Sequence, residues 1–158
     1  MSLEINSSLC IRGQIESEIG GRSENQDSAG ALDTALGTIV VVCDGMGGMK
    51  GGKTASMLAV QTIIDDVAEA KADQSPAEVL RKAFQHANEV ILEAAEEDPN
   101  LHGMGTTATA IIINKNCATV AHIGDSRVYQ IRGKRKVFRT DDHSMVFKLV
   151  KEKVLTEE

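Results

Sequence analysis

Two apolar runs, Thr107 to Ile113 and Cys117 to Ile123, are separated only by Asn114-Lys115-Asn116. So short a polar connection permits only an antiparallel return, because parallel neighbours need a crossover of a dozen residues or more. Val128 to Ile131 and Lys136 to Arg139 follow at once and bracket Arg132-Gly133-Lys134-Arg135, which predicts a second hairpin. Consecutive hairpins commit the second half of the chain to antiparallel sheet.

The first half reads differently. Residues 8–15 and 28–32 are weak strand candidates around the polar connection GRSENQD, and Thr38 to Cys43 (TIVVVC) is a short β-branched run suited to a buried strand. A Gly-rich loop then leads into apolar positions Ala55, Leu58, Ala59, Ile63 and Val67, whose spacing is helical. Ser75-Pro76-Ala77-Glu78 marks the start of another helix, with a capping serine, proline at the first helical position and glutamate in the first turn. Its apolar face runs through Val79, Leu80, Ala83, Phe84, Ala87, Val90, Ile91, Ala94 and Ala95, and Asp98-Pro99 ends it. Heptads do not persist along this stripe, so it predicts packing against a sheet rather than a coiled coil. Met145, Leu149 and Val150 predict a further helix near the C-terminus. Strands, two helices and then hairpins indicate an α+β fold.

The 158 residues suit one domain with a fair core, and 42% hydrophobic with 25% charged residues is ordinary for a soluble protein. A net charge of -6 argues against a nucleic-acid partner, which would recruit a basic surface. The basic hairpin at Arg132, Lys134, Arg135 and Lys136 reads as a solvated loop tip in this acidic whole. No apolar run reaches membrane-spanning length, and no signal-peptide core opens the chain. Cys10, Cys43 and Cys117 are odd in number and far apart; Cys43 and Cys117 lie in apolar runs and read as buried reduced thiols. Together they point to a reducing, cytoplasmic setting.

Three polar constellations stand at the ends of apolar strands: Arg22-Ser23-Glu24-Asn25-Gln26-Asp27, Asp44-Gly45-Met46-Gly47-Gly48, and Gly124-Asp125-Ser126-Arg127. Each supplies an aspartate, the hard oxygen donor that Mg²⁺ or Mn²⁺ prefers. Glycines beside Asp44 would let a backbone carbonyl approach a cation, and an arginine nearby can grip phosphate through its planar fork of donors. Taken singly, Asp44-Gly45 and Gly124-Asp125 read equally as turns leaving a strand, and Arg22 as a surface arginine. Gly47 to Thr54 (GGMKGGKT) also satisfies the phosphate-loop pattern after a strand and before a helix. There Lys53 would meet nucleotide phosphates and Thr54 would hold Mg²⁺, with the HIGD run ending at Asp125 as a second metal-binding strand. Against it, Cys43 to Met46 intervene before the first motif glycine, and the later strands pair as hairpins instead of alternating with helices.

In order along the chain, GRSENQD, VVCDGMGG with GKTAS, GMGTTATA, HIGDSRVYQIR and TDDHSMVFKLV resemble the metal-dependent type 2C Ser/Thr protein phosphatases. The resemblance implies a four-layer α-β-β-α sandwich of two antiparallel sheets flanked by helices. It implies Arg22 as the arginine that holds substrate phosphate and Asp27 as a residue supporting the metal site. It further implies Asp44 as the aspartate bridging two Mg²⁺ or Mn²⁺ ions, the Gly45 carbonyl as a ligand of the second, and Asp125 as a residue of a weaker third metal. A water activated by the metals would attack the phosphorus of a phosphorylated Ser/Thr protein. The position of a histidine acid in some members is Met46, as in bacterial-type members, and His86, His102, His122 and His143 show no metal-ligand spacing.

The family pattern continues beyond Leu155-Thr156-Glu157-Glu158, toward further strands and two more metal-ligand aspartates; Asp141 and Asp142 belong to the TDDHS stretch and do not replace them. The expectation is therefore a partial phosphatase domain over residues 1–158 with weak metal binding and weak or no activity. Exposed strand edges lead to the further expectation of a homodimer or strand-exchanged assembly. A catalytically inactive module that binds phosphoproteins through Arg22 stands as the alternative.

Overall fold

The computed structural model describes residues 2–7, 11–47, 51–115 and 117–143. Strands β1 (Ser2–Asn6) and β2 (Arg12–Glu16) form an antiparallel ribbon. The main sheet follows the order β3 (Asp27–Thr34), β4 (Gly37–Met46), β6 (Ala108–Ile113), β7 (Ala118–Ile123), with the short β5 (Gly105–Thr106) pairing the far end of β4. Strands β8 (Tyr129–Arg132) and β9 (Arg135–Arg139) form a second ribbon. Helices α1 (Gly51–Ala68) and α2 (Pro76–Glu97) pack against each other, α1 on β3 and β4 and α2 on β6 and β7. This is the expected α+β class with antiparallel sheets; the described residues build one helical layer on one sheet, beside two ribbons.

Alternation decides which face of the sheet is dry. Ile39, Val41 and Cys43 of β4 face the helices with Ala108, Ala110 and Ile112 of β6, all buried, while Val40, Val42 and Asp44 point to the other side. The helices answer with Ala55, Ala59, Ile63 and Val67 from α1 and Val79, Leu80, Ala83, Ala87 and Ile91 from α2. These are the predicted stripes, trimmed at their edges to half-buried Leu58, Phe84, Ala94 and Ala95.

Local readings were corrected where tertiary contacts intervened. Ser75 makes no side-chain cap; its carbonyl accepts from the Val79 N–H at 3.0 Å, and Pro76 begins the helix. Cys117 is exposed, not buried, because it sits at the β6–β7 turn, where its N–H donates to Asn114 Oδ1 at 3.0 Å. Cys43 is buried, and that burial pushes its thiol up to about 12. Of residues 8–15, the described ones are strand from Arg12 onward, paired with a strand at Ser2–Asn6 that hydropathy did not announce. Cys10, Gly48 to Lys50, Asn116 and the helix expected around Met145, Leu149 and Val150 lie outside the described residues. Among the described residues, no helix is long and apolar enough to cross a membrane.

Candidate metal centre

The site begins in a turn far from it. Residues 35–36 connect β3 to β4, with Thr34 opposite Gly37, and Thr34 Oγ1 donates to the Gly37 carbonyl at 2.8 Å. Gly37 sits at φ +129°, a conformation that L side chains rarely adopt. That turn sets the register of the whole ladder, so at its far end Asp27 stands directly opposite Asp44. Paired residues share a face, and two carboxylates are thereby brought together on the side away from the helices.

Asp27 and Asp44 line a cavity of about 210 Å³ with Arg22, Asn25, Gln26 and Gly45. Asp44 is exposed as a whole residue, yet its carboxyl is pushed above its ordinary value. Desolvation is the first cause; the Asp27 carboxylate, which also shares a hydrogen bond with it, is the next, and Asp125 adds to both. Arg22 pulls the other way. The other three charged residues singled out in the sequence, Arg22, Asp27 and Asp125, are thus within electrostatic reach of Asp44, although Asp125 does not line the cavity.

Backbone contacts hold the pair in place. Asp27 N–H donates to Asn25 Oδ1 at 2.9 Å, and Gly45 N–H to the Gln26 carbonyl at 3.3 Å. Gly45 has no Cβ because helix α1 occupies the space: an added carbon would stand 1.9 Å from the Gly52 carbonyl oxygen. Lys53, the residue of the phosphate-loop reading, donates from Nζ to the Asp27 carbonyl at 2.7 Å and to Ser28 Oγ at 3.3 Å. Every strand pair among the described residues is antiparallel, so the alternating α/β frame of a nucleotide-binding fold is not formed.

Several contributors escaped the sequence reading. Thr107 Oγ1 accepts the Asp44 N–H at 3.0 Å and pairs with Ser126 Oγ at 2.8 Å, while Thr107 N–H returns to the Asp44 carbonyl at 2.9 Å. The loop carrying Asp125 is therefore tied to the backbone of Asp44. Residues 140–143 clip the same loop: His143 N–H donates to the Gly124 carbonyl at 2.9 Å, and Arg127 grips Asp142 through Nε at 2.6 Å and Nη2 at 2.5 Å. Arg127 holds the Asp142 carboxyl below its ordinary value. The only local signal was the hydroxyl pair Thr106-Thr107 at a strand start, and its partner is remote in sequence.

Thr107→Val keeps shape but removes the acceptor, leaving the Asp44 N–H and Ser126 hydroxyl short of a partner. It is expected to cost about 1–3 kcal/mol in urea unfolding.

Beneath the clip, His122 stacks on His143 with ring centroids 4.4 Å apart, and His122 Nδ1 is buried without a partner. Burial first, then His143, pushes His122 below its usual 6.5, while Asp141 and Asp142 oppose them. A depressed histidine takes its proton more readily in the unfolded chain, so stability falls as pH drops below the unfolded value. His86 acts oppositely, because Asp66 raises it: its contribution is present at low pH and fades as pH rises through the raised value. Comparing wild type with His122→Asn cancels His86. The wild-type melting temperature is expected to fall more steeply than the variant's between about pH 6.5 and 5.

Two carboxylates set face to face suit a divalent cation between hard oxygen donors. Among the described residues no three His, Cys, Asp or Glu side chains stand close enough to hold a metal together. Two carboxylates alone would make up part of a coordination shell rather than a whole one.

The sequence profile described as Protein phosphatase 2C matches residues 16–147. The chain belongs to the protein phosphatase 2C family. A serine/threonine phosphatase stp of Listeria welshimeri is 37% identical over 134 residues, covering 82% of this chain and 53% of that protein. The family likeness extends to solved structures. The catalytic domain of the phosphatase PstP, in complex with two manganese ions, is 33% identical with TM-score 0.73, over 85% of this chain and 56% of that one. The Streptococcus agalactiae serine/threonine phosphatase is 35% identical with TM-score 0.74, over 86% and 57%. This chain spans about half the length of the protein phosphatase 2C relatives it matches.

Proposed function

We propose that this domain serves the metal-dependent hydrolysis of phosphoserine and phosphothreonine in proteins. The observation that carries the reading is the Asp27–Asp44 pair, set opposite by the β3–β4 register and sharing its cavity with Arg22. Asp27, Asp44 and the Gly45 carbonyl would hold Mg²⁺ or Mn²⁺, with Asp125 toward a further ion. When bound, such cations polarise phosphoryl oxygens and lower the pKa of water. Arg22 offers a planar fork of donors to the phosphate dianion and orients it beside the carboxylates. The raised Asp44 carboxyl keeps a proton more readily than an isolated aspartate, so acid competes with cation binding there. Met46, on the same sheet face as Asp44, carries no proton, which leaves the departing alkoxide to be protonated from water. The manganese of the PstP relative supports the choice of cation. The free Cys43 and Cys117 support a reducing compartment.

A phosphoprotein-binding module without turnover is the second reading, favoured by the incomplete set of carboxylates among the described residues. Phosphate release from a phosphoserine peptide and from p-nitrophenyl phosphate, with excess Mn²⁺, separates the two. Release that Asp44→Asn abolishes supports the phosphatase. Peptide binding without release supports the module.

A further inference from the structure

A second groove opens beside the phosphate cavity. It holds about 480 Å³ between strand β3, which is the outer strand of the sheet, and helix α1. Asn25 and Asp27 line both spaces, so the groove, on the helix side of β3, adjoins the cavity of Arg22 and Asp44 at the start of that strand. Its character changes along its length. At the head, Lys53 is held by the Asp27 carbonyl and Ser28 Oγ, and Asn25 Nδ2 donates to Ser17 Oγ at 2.7 Å. Further on, the walls are Ala29, Met57 and Val60, with Gln61, whose amide donates to Asp65, at the far end.

Lys53, Met57 and Val60 follow one another at helical spacing, so they form a continuous stripe along α1. From Lys53 to Val60 the helix rises roughly 10 Å, about the reach of three residues of extended peptide. Met57 is 56% exposed, an unbranched apolar side chain that adapts to what it meets.

The geometry points to this groove as the subsite for the polypeptide flanking the phosphorylated residue, selecting an apolar side chain two or three positions away from it. The inference rests on the phosphatase reading for the placement of the phosphate. The polar head accommodates the peptide backbone next to the phosphoresidue, and Met57 and Val60 cover the apolar side chain that follows. Burying such a side chain against two apolar walls favours it over serine by about five- to tenfold.

The test uses fluorescein-labelled peptides carrying a non-hydrolysable phosphonate in place of phosphoserine, with leucine or serine two and three positions away on either side. Binding to the protein with Mn²⁺ is read by fluorescence anisotropy. A leucine peptide is expected to bind about five- to tenfold more tightly than its serine counterpart. Met57→Glu, which places a charge on the apolar wall, should bring that ratio to within about twofold of unity, and Met57→Leu should keep it. Equal binding of the two peptides to wild type, a preference that survives Met57→Glu, or no binding of either peptide would each overturn the subsite. Phosphate release from p-nitrophenyl phosphate, which has no peptide to enter the groove, reports separately on the phosphatase reading.

Discussion

Asp44→Asn is expected to raise the stability of the metal-free protein near pH 7 while abolishing its response to Mn²⁺. Asp44 carries a carboxyl whose folded pKa is raised, first by desolvation and then by the facing Asp27. A raised acid binds its proton more tightly in the folded state, so its stabilising contribution is complete below the unfolded value and lost as pH rises through the folded one. At neutral pH the ionised pair therefore costs stability, and the neutral amide removes that cost. A bound cation removes it too, so Mn²⁺ should raise the wild-type melting temperature in proportion to the logarithm of its concentration above the dissociation constant. The variant lacks the proposed ligand. Its affinity should drop by more than the roughly 10- to 100-fold that loss of a merely supporting residue costs. Any Mn²⁺-dependent phosphate release should fall by at least about 100-fold. Calorimetric scans with and without Mn²⁺ read both effects. A variant that is less stable without metal, yet still shifts with Mn²⁺, would assign Asp44 a structural role only.

Gly45→Ala should give the largest loss of stability. Its Cβ would stand 1.9 Å from the Gly52 carbonyl oxygen, 2.4 Å from the Gly52 carbonyl carbon and 2.8 Å from the Gln26 carbonyl oxygen. All three are backbone atoms, which cannot swing aside as a side chain can. The start of α1 would have to lift from β4, and with it Ala55 and Ser56, both fully buried. Ser56 Oγ donates to the Gln26 carbonyl at 2.6 Å, so the displacement would also pull at the connection that leads into Asp27. A cost of about 3 kcal/mol or more is expected in urea unfolding. Gly21→Ala is the control, because an added carbon there meets nothing within 4 Å and should change stability by less than about 0.5 kcal/mol. Equal behaviour of the two variants would show that α1 and β4 approach less closely than described.

Particular residues mark how far the sequence could be read. The stripe of Ala55, Ala59, Ile63 and Val67 was legible because helical period and apolar content are local properties, and the sheet that covers it only confirms them. The hairpins around residues 114 and 133 were legible for the same reason. Ser75 was legible as the N-cap position but not in its bonding, because a capping residue announces a helix start whether or not its hydroxyl bonds. Cys117 was misread because an apolar run does not say where its turn begins. Thr107 and Ser126 gave no signal beyond the adjacent hydroxyls of Thr106 and Thr107: their partners lie 63 and 19 residues away, and a hydroxyl is common in any strand.

The glycines show the same division. Gly45 beside Asp44 was legible as a place where a backbone carbonyl could approach a cation; that the backbone of α1 fills the space of its missing side chain was not. The residue was visible in the sequence, and its neighbour was not.

By itself, then, the sequence determined the order of the main strands and the two helices, the antiparallel second half and the family, because motif order and apolar period survive without coordinates. Only the tertiary structure decided which charges meet. Asp27 faces Asp44 because the turn at residues 35–36 sets a ladder in which a one-residue slip would send one of the two carboxylates to the buried face. Register is a relation between two strands, and neither strand encodes it alone.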